Sequence, residues 1–117
     1  MELPVFDVPD VLNRVEDDRE LLAELVTLFL EDYPRQLDKI DEALSQHKAH
    51  LVERLAHSLK SALANLSAKR AADAARQLET MARAGDLHGA TQGIRHLQDE
   101  LDTLRHAMEQ FRQTQPT

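Results

Sequence analysis

At 117 residues, the chain has room for one domain built on one ordinary hydrophobic core. Its 42% hydrophobic and 30% charged residues exclude a disordered chain, while a net charge of −7 and 3% aromatic residues exclude a nucleic-acid module, which needs a net positive surface and stacking rings. The absence of cysteine excludes disulfides, thiolate zinc sites and thiol catalysis.

Three glycines and four prolines in the whole chain, with leucine and alanine dominant, point to an all-helical fold. The opening "MELPVFDVPD" lacks the basic-then-apolar run of a signal peptide. No apolar stretch approaches the ~20 residues that span a bilayer. The chain therefore reads as one intracellular domain over residues 1–117, with a core of about 5–112 and no membrane insertion.

A short first helix is expected at "DVPDVLNRV", with Asp7 as N-cap, Pro9 in the first turn and Asp10 three residues on. A second begins at "DDRELL", where Asp17 and Glu20 have capping-box spacing. Its apolar positions, Leu22, Val26, Phe29, Tyr33, Leu37, Ile40 and Leu44, step by three and four through Pro34 without changing phase. That pattern predicts a kinked continuous helix; a break with a restart at Asp32 is the alternative. The third helix spans roughly His47 to Leu66. Ser67 is placed to cap a fourth, alanine-rich helix that ends at Ala84, with Gly85 just beyond it. Asp86 then caps a fifth, whose seam of Leu87, Ala90, Ile94, Leu97, Leu101, Leu104, Met108 and Phe111 alternates threes and fours. Such a seam packs knobs into holes in a bundle. Gly89 and Gly93 weaken its first turns. Short connections favour antiparallel neighbours, so the expected architecture is an up-down-up-down four-helix bundle with the short first helix packed across it. The tail "QTQPT" is expected to fray.

One residue does not fit this packing scheme. On the third helix Leu51, Val52, Leu55, Leu59, Ala62, Leu63 and Leu66 share a face, and at about 100° per residue His57 falls on the opposite side. Glu53, Lys60, Ser61 and Ala64 lie on that outer side. Small side chains at Ser61 and Ala64, just beyond His57, leave the imidazole clear for another protein to approach. A solvated surface histidine beside two incidental small residues accounts equally for the pattern taken alone. His47, His50, His88, His96 and His106 read as solvated or boundary residues.

His50, Glu53 and His57 share one helical face, which raises the question of a metal. Residues seven apart are separated by ~10.5 Å along the axis, too far for both to hold one ion at about 2 Å. No metal site is expected. Charge gives a further clue. Residues 47–78 contain Lys48, Arg54, Lys60, Lys69, Arg70 and Arg76 against Glu53 and Asp73, a net +4, whereas residues 1–46 carry −9 and residues 79–117 carry −2. This locally basic region is suited to an acidic partner or a phosphoryl group, or equally to internal pairing with the acidic second helix.

The run Ala56-His57-Ser58-Leu59-Lys60-Ser61, followed by Asn65-Leu66-Ser67-Ala68 and then Leu78-Glu79, resembles the histidine-containing phosphotransfer (HPt) family of multistep phosphorelays. That family's motif is close to Ala-His-x-Leu-Lys-Gly, then Asn-x-Gly-Ala and a later Leu-Glu. The upstream "DDRELLAELVTLFLEDYPRQLDKIDEAL" and the turn "ARAGDL" are also similar to it. Ser61 and Ser67 depart from the pattern, standing where the family usually has glycine. Ser61 remains small, though its hydroxyl is placed either to crowd a partner or to bond a phosphoryl oxygen. Ser67 suggests a conventional N-cap in place of a glycine turn.

The resemblance implies that His57 takes a phosphoryl group on Nε2 from the aspartyl phosphate of a receiver domain and passes it to the aspartate of a second receiver. It implies Lys60 as a holder of a phosphoryl oxygen, Glu79 as an acceptor from the imidazole Nδ1–H, and Arg54, Ser58, Ser61 and Ala64 as the receiver-docking face. A neutral imidazole suits this work as a nucleophile near pH 7. The chain itself needs no cofactor, because Mg²⁺ comes with the receiver. No Gly-rich nucleotide loop or kinase signature is present, so a phosphocarrier without kinase activity is expected. It would act in the cytoplasm as a monomer, either as a stand-alone relay protein or, preferred here, as the C-terminal domain of a hybrid sensor kinase. A non-catalytic bundle that binds a partner helix, and a metal-dependent enzyme, are the competing classes.

Overall fold

The computed structural model describes residues 2–114; the last three residues of the expected frayed tail lie outside them. Five helices follow in order: α1 (Val8–Arg14), α2 (Arg19–Ser45), α3 (Ala49–Asn65), α4 (Lys69–Arg83) and α5 (Leu87–Gln113). α2 packs on α3, α3 on α4, α4 on α5 and α5 back on α2, the closed ring of an antiparallel up-down-up-down bundle. The described residues contain no strand. No helix among them is long and apolar enough to cross a membrane.

The helices differ in length, and that sets the shape. α2 and α5 have 27 residues each, ~40 Å at 1.5 Å per residue, whereas α3 has 17 and α4 has 15. The first third of α2 and the last part of α5 therefore outrun the α3–α4 hairpin. α1 fills that end, burying Val11 and Leu12. Phe6 meets Phe111 edge-on at 5.8 Å. The core runs through Leu22, Val26, Ile40, Leu59, Leu63, Leu78, Leu97, Leu101, Leu104 and Met108. Each such side chain contributes about 1.5–3 kcal/mol on leaving water. All of the fifth-helix seam is buried except Leu87, which is half-buried at the first turn.

α2 is continuous through Pro34. The proline lacks the N–H that would bond the carbonyl of Leu30, but it lies on the exposed side, where water can reach the freed carbonyl. The α2 cap is Asp18, whose carboxylate accepts from the N–H of Leu21 at 2.9 Å. Asp17 instead takes a left-handed conformation, φ 62°, so the expected Asp17–Glu20 capping box is not formed.

All four connections end their helices alike. The N–H groups of Asp17, Lys48, Ala68 and Asp86 reach back to the carbonyls of Leu12, Ala43, Leu63 and Met81, at 2.8–3.0 Å. Glu16, His47, Ser67 and Gly85 precede them with φ of 55°, 58°, 56° and 74°. This is the Schellman arrangement, with glycine at one of the four left-handed positions. In the last three turns the residue that closes one helix is the N-cap of the next. α3 accordingly begins at Ala49 rather than His47.

Ser67 is therefore not the cap of α4; Ala68 holds that position without a side-chain bond. Ser67 keeps the left-handed turn that a glycine would make, and its buried hydroxyl donates to Asp10 Oδ2 at 2.6 Å. Lys69 Nζ adds a bond to Asp7 at 3.1 Å, and the N–H of Asp7 donates to the Ser67 carbonyl at 3.0 Å. These contacts fasten α1 to the turn between α3 and α4.

Candidate functional site

α3 buries Val52, Ala56, Leu59 and Leu63, which turns His57 outward. Its side chain is 59% exposed, and the exposed Ser61 and Ala64 stand one and two turns beyond it. Behind the ring lies Glu79 of α4, whose side chain is only 5% exposed. A charged residue so buried requires partners, and it has three. His57 Nδ1 is 2.7 Å from Oε2, Lys60 Nζ donates to Oε1 at 2.7 Å, and Arg83 Nη2 donates to Oε2 at 3.3 Å.

The chemistry of these atoms selects a tautomer. Burial by itself would raise the Glu79 carboxyl, but the hydrogen bonds and charges of Lys60 and His57 outweigh it and hold the group below its ordinary range. Glu79 is therefore a carboxylate, able only to accept, so Nδ1 must carry the proton. In the neutral ring the lone pair then belongs to Nε2, the nucleophilic nitrogen. The exposed ring leaves it open to an electrophile from outside.

The other candidates take the following places. Ser61 Oγ donates to the carbonyl of His57 at 3.1 Å, so its hydroxyl is bonded to its own helix. Arg54 and Ser58 are exposed beside His57 on α3. Ser58 and Ala62 line a groove between α2 and α3 with Asp32, Arg35, Gln36, Lys39 and Leu55. That groove continues as a shallow apolar recess of about 600 Å³ bounded by Leu25, Leu28, Phe29 and Leu66. Leu28, 61% exposed, is an apolar surface side chain at its edge.

Four of the six basic residues of 47–78 pair internally, and none of the four with α2. Lys60 binds Glu79, Lys69 binds Asp7, Arg70 makes a two-pronged bridge to Glu100, and Arg76 binds Asp73. Glu53, one turn before His57, is engaged by Arg83 Nε at 2.8 Å, with His50 Nδ1 at 3.5 Å. The guanidinium holds the Glu53 carboxyl below its ordinary range. Among the described residues no three His, Asp or Glu side chains are grouped to hold a metal ion. The residue that inspection of the sequence overlooked is Arg83; its spacing of four from Glu79 on one helix was the available signal.

The arrangement is a surface imidazole with one nitrogen protonated and held, the other free, and cations at hand. A comparison of the chain with family models identifies its relatives: the Hpt domain matches residues 24–107. The chain belongs to the Hpt domain family. Among solved structures, this Hpt domain is similar to histidine-containing phosphotransfer protein B (HptB) from Pseudomonas aeruginosa PAO1, with a TM-score of 0.89 and 26% identity over 98% of this chain and 100% of that one. It is also similar in fold to the histidine-containing phosphotransfer protein ZmHP2 from maize, with a TM-score of 0.79 and 22% identity over 93% of this chain and 86% of that one. No curated protein matches the sequence significantly. The Hpt domain is a phosphocarrier, not a kinase; it works by histidine phosphotransfer in phosphorelay signalling, and its family implies receiver domains as partners.

Proposed function

We propose that His57 is the phosphoryl-carrying residue. Nε2 attacks the phosphorus of a receiver's aspartyl phosphate. As the N–P bond forms, the P–O bond to the aspartate breaks, and the carboxylate leaves with the electron pair. The ring retains its Nδ1 proton and gains a positive charge, which Glu79 Oε2 faces. Transfer to a second receiver reverses these steps. The observation that carries this reading is the 2.7 Å contact between Nδ1 and a buried carboxylate on an otherwise exposed ring. The contact is stronger once the ring is charged, and therefore favours the transition state over the ground state.

Lys60 is the cation that would turn to a phosphoryl oxygen, one helical turn from His57. Its present bond to Glu79 sets it beside the ring, with its side chain part-exposed. Ser58, Ser61, Ala64 and Arg54 would form the docking face together with the α2–α3 groove, where Leu28 and Leu25 offer apolar contact to a receiver. Phosphoryl transfer is governed by in-line positioning and charge neutralisation. The receiver would bring the Mg²⁺, and this domain would act as a monomer in the cytoplasm without ATP-dependent activity of its own. A hybrid sensor kinase is a fitting source of the phosphoryl group.

The test is incubation with each phosphorylated receiver domain of the source organism. The expected product is an acid-labile, base-stable phosphate on the wild-type protein that is absent from His57→Gln. A wild-type protein that takes label from no receiver would refute the proposal and favour a non-catalytic adaptor.

A further inference from the structure

Glu79 holds three cationic or proton-bearing groups on two oxygens. Lys60 occupies Oε1, while His57 Nδ1 and Arg83 Nη2 share Oε2. Phosphoryl transfer disturbs this balance. The new N–P bond puts the phosphoryl oxygens beside His57, and Lys60 is the cation on the same helix that can swing to them. Oε1 then loses its donor.

Arg83 is built differently from Lys60. Its guanidinium spans two helices, with Nε on Glu53 of α3 at 2.8 Å and Nη2 on Glu79 of α4. Glu53 precedes His57 by one turn, and Arg83 follows Glu79 by one turn, so the fork closes a second rung across the same helix pair. A planar guanidinium held at two points keeps its direction, whereas an ammonium on a four-carbon stem does not. We propose that Arg83, pinned by Glu53, is a positioning residue: it anchors Glu79 Oε2 against His57 Nδ1 while Lys60 leaves that carboxylate for the phosphoryl group. This rests on the assignment of His57 as the phosphoryl acceptor. Arg83 acts through Glu79 and touches none of the reacting atoms.

The experiment combines ¹⁵N NMR of the histidine ring in the unphosphorylated protein with the rate of loading from a phosphorylated receiver. The wild-type ring should show the Nδ1–H tautomer. In Arg83→Gln the ring population should move toward Nε2–H and loading should slow by about fivefold, the scale of a well-formed exposed ion pair. Arg83→Lys should recover part of both effects, and Glu53→Gln should reproduce the tautomer shift in weaker form. The Arg83 side chain is 61% exposed, so these variants should fold, and a thermal melt verifies this. An unchanged tautomer or an unchanged loading rate in Arg83→Gln overturns the proposal. So does faster hydrolysis of the phosphohistidine with the tautomer intact, because that outcome puts Arg83 on the phosphoryl group. The tautomer measurement needs no receiver, so a failure of Arg83 to position Glu79 is distinguishable from a failure of His57 to accept phosphate.

Discussion

Glu79→Gln keeps the volume of the side chain and removes its charge. Two contacts at 2.7 Å, from His57 Nδ1 and Lys60 Nζ, lose an anionic acceptor and retain at most a neutral carbonyl. Hydrogen bonds to a charged partner are worth about 1.5–3 kcal/mol and neutral ones about 0.5–1.5 kcal/mol. The contact to His57 therefore weakens by roughly 1–1.5 kcal/mol, and that difference is largest when the ring bears a positive charge. A loss of ~1.4 kcal/mol from the transition state slows transfer about tenfold. The assay is rapid-quench transfer from a radiolabelled receiver to the variant at saturating receiver concentration, with a urea melt run on the same preparation. The rate constant for loading should fall about tenfold, while docking, read from the concentration dependence, changes little because Glu79 is shielded from the surface. A loading rate within twofold of wild type, in a variant that melts normally, would refute the role given to this carboxylate.

Acid stability offers a second check. Asp10, Glu53, Asp73 and Asp102 are lowered in the fold first by hydrogen bonds from Ser67, Arg83, Arg76 and Arg105, and Glu79 is lowered by Lys60 and His57 against the opposing effect of burial. Carboxyls depressed in the folded state contribute stability that is complete above their unfolded values of ~4 and is lost as pH falls through the folded ones. Urea midpoints should thus drop as the medium is acidified below about pH 4.5, and a carboxylate contribution that grew on acidification would contradict the pairing. The same chemical change at two glycines should act in opposite directions. A Cβ at Gly93 meets Met81 Sδ at 3.2 Å and the Leu78 backbone at an ordinary 3.7 Å; the flexible thioether can yield, so Gly93→Ala should gain about 0.5–1 kcal/mol of helix propensity. Gly85 has φ +74°, and Gly85→Ala should cost about 1 kcal/mol. Thermal midpoints shifting in the same direction for both would refute this account.

Much of the bundle was legible because its signals are local and periodic. The strict seam of the fifth helix, the Asp7 and Asp86 caps and the Gly85 terminus each depend on spacing along one segment, and each is found. His57 stood out for the same reason, as a ring on the wrong side of an apolar stripe. The misassigned features depend on backbone conformation that no residue type announces. Capping-box spacing pointed to Asp17, but the left-handed turn that follows α1 takes that residue and leaves Asp18 to cap. Ser67 is an ordinary N-cap residue, yet its hydroxyl was claimed by Asp10, a partner 57 positions away. Arg83 was passed over because its significance depends on the register of α4 against α3, which brings Glu53 within its reach. The basic stretch found its partners on α1, α4 and α5 instead of α2, again a matter of helix order in space.

The three-residue turn between Asn65 and Lys69 has a consequence for how the domain can change. His57, Lys60, Glu53, Glu79 and Arg83 all lie on the two helices it joins, so the proposed chemical centre is a single hairpin whose parts are close in the chain and can assemble early in folding. The exposed Leu28 and much of the groove rim belong to α2, a separate segment that contributes no atom to the Glu79 cluster. If receivers dock on this groove as proposed, substitutions on α2 would retune which receiver is recognised and leave the Glu79 cluster untouched, so that partner choice and phosphoryl chemistry would be free to diverge independently.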